Sequence, residues 1–281
     1  MTHRRFSALP IIRHAQLHHI ILLLTCGILT LGELVLSGSC LGRELNATPY
    51  RPTLSNPAQL SVPGYVEMEM GWQSLKEKAT DDYRHTVPYL FKLAFSDYIG
   101  LLIGGDTLIV NDFDQGSTLA GFGDLTPLLK FNIPLPHVST SALGLEMGAK
   151  LPTAPRTIGS KHTDFLVTGI YSVGVGSLGF DINLGYTRLG GASGGEGKNQ
   201  LFWALSTAYG LTTRWSVSGE LAGTTRHGIK PFTQFLGSTS YFFTPRIVGD
   251  TGMAFGLNGA SQEWTIFAGM TVLLGKVWEK N

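Results

Sequence analysis

Cysteine is almost missing from this chain of 281 residues: there are two, Cys26 and Cys40, both in or beside an apolar segment near the N-terminus. Everything after Cys40 is therefore without disulfides, thiol catalysis or cysteine-based zinc sites. Net charge is also scarce, at +1 with only 15% of residues charged. That balance argues against nucleic acid as a partner, because phosphate binding needs a basic excess. Long apolar runs are lacking too. The longest, residues 20–31, is interrupted by Thr25, Cys26, Gly27 and Thr30, and falls short of the roughly 18 residues that a transmembrane helix needs. No amphipathic helical stretch of useful length follows it, and no Pro/Ser linker or shift in composition divides residues 62–276, which read as one domain.

What is present begins with an export signature. Arg4, Arg5 and Arg13 precede the apolar segment, Glu33 ends it, and Ser37-Gly38-Ser39 offers small residues for cleavage. Residues 1–39 are therefore expected to be a signal peptide. Cys40 resembles a lipidation site, but Ser37 stands where an aliphatic residue is usual, which argues against it. Residues 40–61 form a Pro-rich lead whose prolines and asparagines suit no regular ladder. This lead is a candidate plug for whatever residues 62–281 enclose.

The segment LTPLLKFNIPLPHVSTSALGLEMGAKLPT, residues 125–153, shows what that is. It is strongly apolar, yet carries Lys130, Glu146 and Lys150. Asp124, Thr126, Lys130 and Asn132 are even-numbered, whereas Leu125, Leu129, Phe131 and Ile133 are odd. The pattern resumes with Gly144, Glu146, Gly148 and Lys150 against Leu143, Leu145, Met147, Ala149 and Leu151. A period of two marks a strand with one wet and one apolar face. Similar runs are expected at residues 64–73, 87–96, 98–107, 123–133, 141–151, 163–173, 178–189, 200–209, 214–224, 232–243, 247–257 and 263–275. Each is close to the length that a tilted strand needs to cross a bilayer.

Connections between these runs alternate between short (96–97, 134–139, 174–177, 210–213, 244–245) and mostly longer ones (74–86, 108–122, 152–162, 190–199, 225–231, 258–262). Tight turns at one rim and larger loops at the other are the construction of a transmembrane barrel. One parity carries Val66, Met68 and Met70; Phe91 and Leu93; Phe165 and Val167; Ile182 and Leu184; Leu201 and Trp203. The opposite parity carries Glu67, Glu69, Lys92, Asp164, Asp181, Asn183, Glu220 and Asp250. Aromatic residues near strand ends (Trp72, Tyr171, Tyr186, Tyr209, Trp215, Tyr241) suit interfacial girdles. The expected fold is all-β: a transmembrane antiparallel up-and-down β-barrel of about 12 strands, with apolar residues toward lipid and polar ones inside.

Asp124, Lys130, Glu146 and Lys150 are then the expected lumen and selectivity residues, with Lys92, Asp164 and Glu220 as secondary lining. A hairpin centred near His137 would set Asp124 opposite Lys150 and Lys130 diagonal to Glu146, an ion-pair cluster in a poorly solvated space. Pro88 and Pro127 fall within expected strands and call for a bulge or a strand end.

The segments GFGDLTPLLKF (121–131), ALGLEMGAKLPTAP (142–155), SKHTDFLVTGIYS (160–172) and DINLGYTRLGG (181–191) together resemble the phenol-degradation (MetA-pathway) outer-membrane transporter family. The shared pattern lies in Gly121-Gly123-Asp124, Lys130, Gly148-Lys150-Pro152-Thr153, Asp164 and Asn183-Gly185-Tyr186, within a likeness that spans residues 62–275. Pro127 and the non-aromatic C-terminus depart from it. The resemblance implies a barrel in the outer membrane of a Gram-negative bacterium, inserted into the lipid bilayer by the barrel assembly machinery. It also implies passive passage of small-molecule solutes, aromatic or hydrophobic ones among them, through a narrow charged lumen. No cofactor, metal or catalytic residue is expected. A non-conducting structural barrel is the alternative. A barrel lipase has less behind it, because His85, His137, His162 and His227 fall in or beside connections and join no recognisable serine motif. The G-x-G-D of residues 121–124 lies in a strand, and GGASGGEGK (190–198) lacks the spacing of a phosphate loop.

Overall fold

The computed structural model describes residues 45–135, 140–192 and 195–278. The expected signal peptide, both cysteines, the first residues of the lead and His137 lie outside the described residues.

Alternating sequence becomes strand almost everywhere after residue 64. The elements are β1 (Tyr65–Lys76), β2 (Tyr83–Ala94), β3 (Ile99–Asp112), β4 (Thr118–Gly121), β5 (Thr126–Pro134), β6 (Ser141–Lys150), β7 (Asp164–Val175), β8 (Leu178–Arg188), β9 (Asn199–Gly210), β10 (Trp215–Arg226), β11 (Ile229–Thr244), β12 (Ile247–Gly256) and β13 (Trp264–Lys276). Consecutive strands pair antiparallel, except that β5 pairs with β3 in place of β4, and β1 also pairs with β13, from Tyr65↔Lys276 to Lys76↔Trp264. The sheet thereby closes into a 12-strand barrel with one extra short strand, β4, which pairs on one side with β3.

That extra strand corrects the expected connection at 108–122. β3 runs on to Asp112, and its outer part, Ile109–Asp112, pairs with β4, while Ile99–Gly104 pairs with β5. β4 and β5 thus occupy one place in the wall, interrupted at residues 122–125, where Gly123 N–H still donates to Asp106 O at 2.8 Å. The expected loop at 225–231 is likewise replaced by a tight turn between longer β10 and β11, with Gly228 at φ 77°. The other longer connections remain on one rim and the short turns on the other.

Both prolines meet the ladder where it is irregular. Val87 pairs with Leu108 and Pro88 with Asp106, so Thr107 is bulged out; its hydroxyl donates to Val87 O. Pro127 stands at the start of β5, before the β5–β6 ladder begins at Leu128↔Gly148. A Cβ at Gly148 would lie 2.1 Å from Pro127 O, so this close approach of two backbones requires glycine.

The faces invert those of a soluble protein. Leu184, Phe165, Leu201, Leu205, Phe235 and Phe255 are exposed, with Leu184 reaching 66%. Glu67, Glu69, Lys92, Lys130, Glu146, Asn183 and Glu220 are buried. Apolar side chains outside and hydrogen-bonded polar ones inside are what a bilayer demands of a barrel wall.

Candidate functional site in the barrel interior

The buried charges of β1, β2, β5, β6 and β10 share one set of partners: residues 48–58 of the Pro-rich lead. Thr48 N–H donates to Glu67 Oε2 at 2.9 Å, and Tyr50 and Arg51 N–H donate to the two oxygens of Glu69 at 2.7 and 3.2 Å. Leu54 and Ser55 N–H reach the two oxygens of Glu220 at 3.0 and 2.7 Å. Asn56 N–H donates to Asn183 Oδ1, its amide donates to both Glu146 oxygens at 3.0 Å, and Ala58 N–H donates to Ser172 Oγ. These partners lie on β1, β10, β8, β6 and β7. One short segment can touch so many strands of a closed barrel only from within it. The contacted positions fall at mid-strand or nearer the short turns.

The sequence explains why this segment accepts such a place. Prolines 52 and 57 remove two backbone donors that would otherwise need partners, and the irregular backbone leaves its other N–H groups free to point outward at carboxylates. The wall makes room at Gly144, whose added Cβ would lie 3.0 Å from Ala58 Cα. Ala58 packs there with Ala142 and Ile170.

Two lysines complete the network. Lys92 Nζ pairs with Glu67 and, at 2.5 Å, with Glu69, and donates to Thr48 O at 2.6 Å. Lys130 Nζ pairs with Glu146 at 2.9 Å and donates to Pro57 O at 2.5 Å. Both lysines are fully buried, and each ammonium lies 3.9 Å from the centre of the Tyr50 ring. Tyr50 anchors its own hydroxyl on Gln59 O at 2.7 Å. Desolvating an ammonium costs several kcal/mol, and this cost is met only by such convergent anions and carbonyls.

The seven residues singled out from sequence separate into two groups. Lys92, Lys130, Glu146 and Glu220 meet the lead. Asp124, Lys150 and Asp164 lie at the long-loop rim instead. Lys150 pairs with Asp164 at 2.6 Å, while Asp164 also accepts Gly190 N–H. Asp124 accepts the N–H of Ala154 and Ser160 and the Ser160 hydroxyl. The expected register is corrected accordingly: Lys130 stands directly opposite Glu146, and Leu125 bridges Leu151. The slip is two residues, which preserves every side chain's face and changes only its partner. Tyr50, Arg51 and Asp250 were not singled out as site residues. Asp250 sits on the inward parity, but nothing local in the sequence marks Tyr50 or Arg51, whose side chains meet Lys92, Lys130 and Asp250 on three different strands.

Comparison with protein-family models and with curated proteins finds no match. Solved structures do match in fold. The crystal structure of an outer membrane channel from Pseudomonas putida F1 superposes with TM-score 0.59 and 15% identity, over 76% of this chain and 97% of that one. The NanC porin gives 0.53 and 13%, over 74% and 98%. The KdgM porin, solved with disordered oligogalacturonate, gives 0.51 and 8%, over 73% and 98%. The fold is thus one found among outer-membrane channels and porins.

Proposed function

We propose that the chain is a passive outer-membrane channel for small solutes, held closed by residues 45–62 as a plug that can leave its seat. The observation that carries this reading is the lead's contact with buried charges on both sides of a barrel of channel type. A barrel serving only as an anchor could fill its bore with wall side chains. Here the bore is crossed by a segment that belongs to no strand and is held mostly by hydrogen bonds to side chains of the wall. Lys92, Lys130, Glu146 and Glu220 would hold the plug and, with it withdrawn, line a narrow charged passage. Asp124, Lys150 and Asp164 would border the outer entrance. Insertion would follow export and delivery to the barrel assembly machinery. The carboxylates and amides of the inner wall favour polar, charged solutes over the aromatic or hydrophobic ones that the family resemblance suggests.

Planar-bilayer recordings of the refolded chain test the reading. The wild type should be mostly silent, and Glu69→Gln with Glu220→Gln, which weaken the plug's main backbone acceptors, should give discrete salt-dependent steps. A correctly folded variant that stays silent would favour a non-conducting structural barrel.

A further inference from the structure

One contact of the lead is built differently from the rest. Arg51 sends its guanidinium to Asp250, with Nε donating to Oδ2 and a terminal nitrogen to Oδ1, both at 3.2 Å. This two-point grip on a carboxylate matches the planar fork of a guanidinium and not the point charge of an ammonium. The group rests on a floor of two glycines. A Cβ at Gly71 would lie 2.6 Å from the Arg51 Cζ, and one at Gly269 would lie 2.4 Å from its Nε. Gly71 pairs with Gly269 across β1 and β13, and Gly269 pairs with Asp250 across β13 and β12. Three neighbouring positions on three adjacent strands therefore make a flat, side-chain-free surface with a carboxylate at one edge.

A cavity of about 180 Å³ adjoins this seat, bounded by Tyr50, Arg51, Thr53, Asn56, Glu69 and Tyr89. Glu69, which lines it, accepts two backbone N–H groups of the lead, and Glu220 on β10 accepts two more. Any solute that takes the lead's place must bring donors and positive charge of its own, or leave buried carboxylates unmatched.

We propose that the Gly71–Gly269–Asp250 seat is a recognition site for guanidinium-bearing solutes, which Arg51 fills while the lead is docked. This inference rests on the channel reading and names the solute class. A cation of this class arriving at the seat competes with Arg51 and loosens the plug at its ion pair with β12. An ammonium of equal charge fits less well, because a flat floor gives a tetrahedral group nothing to stack on.

The test is calorimetric titration of the full chain in detergent, with methylguanidinium and methylammonium as probes. Arg51→Ala vacates the seat and should bind methylguanidinium at least tenfold more tightly than methylammonium, whereas the wild type, whose Arg51 competes for the seat, should bind methylguanidinium at least tenfold more weakly than Arg51→Ala does. Adding Asp250→Asn should abolish the preference. Gly269→Ala supplies a second route, because its methyl would meet the far end of a flexible side chain and evict the guanidinium without removing it. This variant should bind neither probe, since the floor is gone. Equal affinity for the two probes, or a preference that survives Asp250→Asn, would overturn the proposal. Should Arg51→Ala fail to fold, bilayer recordings of the wild type decide: methylguanidinium should raise open probability severalfold over methylammonium, and equal effects would overturn it. Failure of the channel reading appears separately, as silence of the folded Glu69→Gln/Glu220→Gln variant, and leaves the calorimetric result unaffected.

Discussion

Two lysine–carboxylate pairs stand on neighbouring strands and differ in nearly everything but chemistry. Lys130 and Glu146 face each other across β5 and β6, and Lys150 and Asp164 across β6 and β7. The rim pair is shorter, 2.6 Å against 2.9 Å. Its lysine side chain is nevertheless 31% exposed, whereas that of Lys130 is 0% exposed. At the rim, water can take over as the partner of Lys150, while Asp164 is only 5% exposed and keeps Gly190 N–H as a second donor. In the interior, Glu146, Pro57 O and the Tyr50 ring receive an ammonium that water does not reach. Distance therefore misranks the two; what decides is whether solvent can replace a missing partner.

The largest effect should come from breaking the interior pair. Glu146→Ala would leave Lys130 desolvated and would also remove the acceptor of the Asn56 amide. The expected loss is about 3–5 kcal/mol, read as a lowered urea midpoint of the refolded barrel. Asp164→Ala at the rim leaves Lys150, 31% exposed, to water and should cost about 1 kcal/mol. Comparable losses for the two would break the comparison. The double change Lys130→Met with Glu146→Leu sharpens it: removing both charges together should restore most of the stability, because the cost lies in the unpaired ion and not in the absence of a bridge.

Replacing Tyr50 by Leu ranks next. Two buried ammonium groups lose a ring face at once, at roughly 2 kcal/mol each when desolvated. The leucine keeps the bulk, so the loss should appear as easier release of the lead, measured as faster protease cleavage within residues 45–62, and less in unfolding of the wall. A barrel that unfolds as readily as it loses the lead would mean that lead and wall form one cooperative unit.

The same comparison shows where sequence reading stopped. Parity alone put Lys130, Glu146, Lys150 and Asp164 on one face, because a strand's period of two survives any even slip. The partners depend on where each hairpin turns, and the Pro-rich turn at 134–139 lacks the Asn-Gly or Asp-Gly signal that would fix its centre. A two-residue error there exchanged Lys150's partner, from Asp124 to Asp164. Thr107 and β4 were missed for a related reason: a bulge and a broken strand are set by the neighbouring strand, while alternation reports only on its own. The lead was least legible. Its Pro-rich composition shows only what it cannot form; Tyr50 meets Lys92 and Lys130 on β2 and β5, and Arg51 and Asn56 acquire partners more than a hundred residues away, Asp250 and Asn183.

The smallest expected effect lies at the rim and depends on pH. Burial pushes the Asp124 carboxyl up, but the N–H groups of Ala154 and Ser160, the Ser160 hydroxyl and the charge of Lys150 outweigh it and hold the group below its usual range. A carboxyl so lowered takes up its proton at a more acidic pH in the folded loop than in the released one. Its restraint on residues 151–163 is therefore fully present above the ordinary aspartate value of about 3.9 and fades as pH falls through the lowered one. Amide exchange at Ala154 and Ser160 should accelerate across that acid window relative to the intrinsic rate. Asp124→Asn should show the faster exchange at neutral pH and no further change on acidification. The interior network should hold its protection over the same window, since its donors and carboxylates are closed to water. Equal acid sensitivity of Tyr50 and Ala154 would show that the two regions open together and that exposure does not separate them.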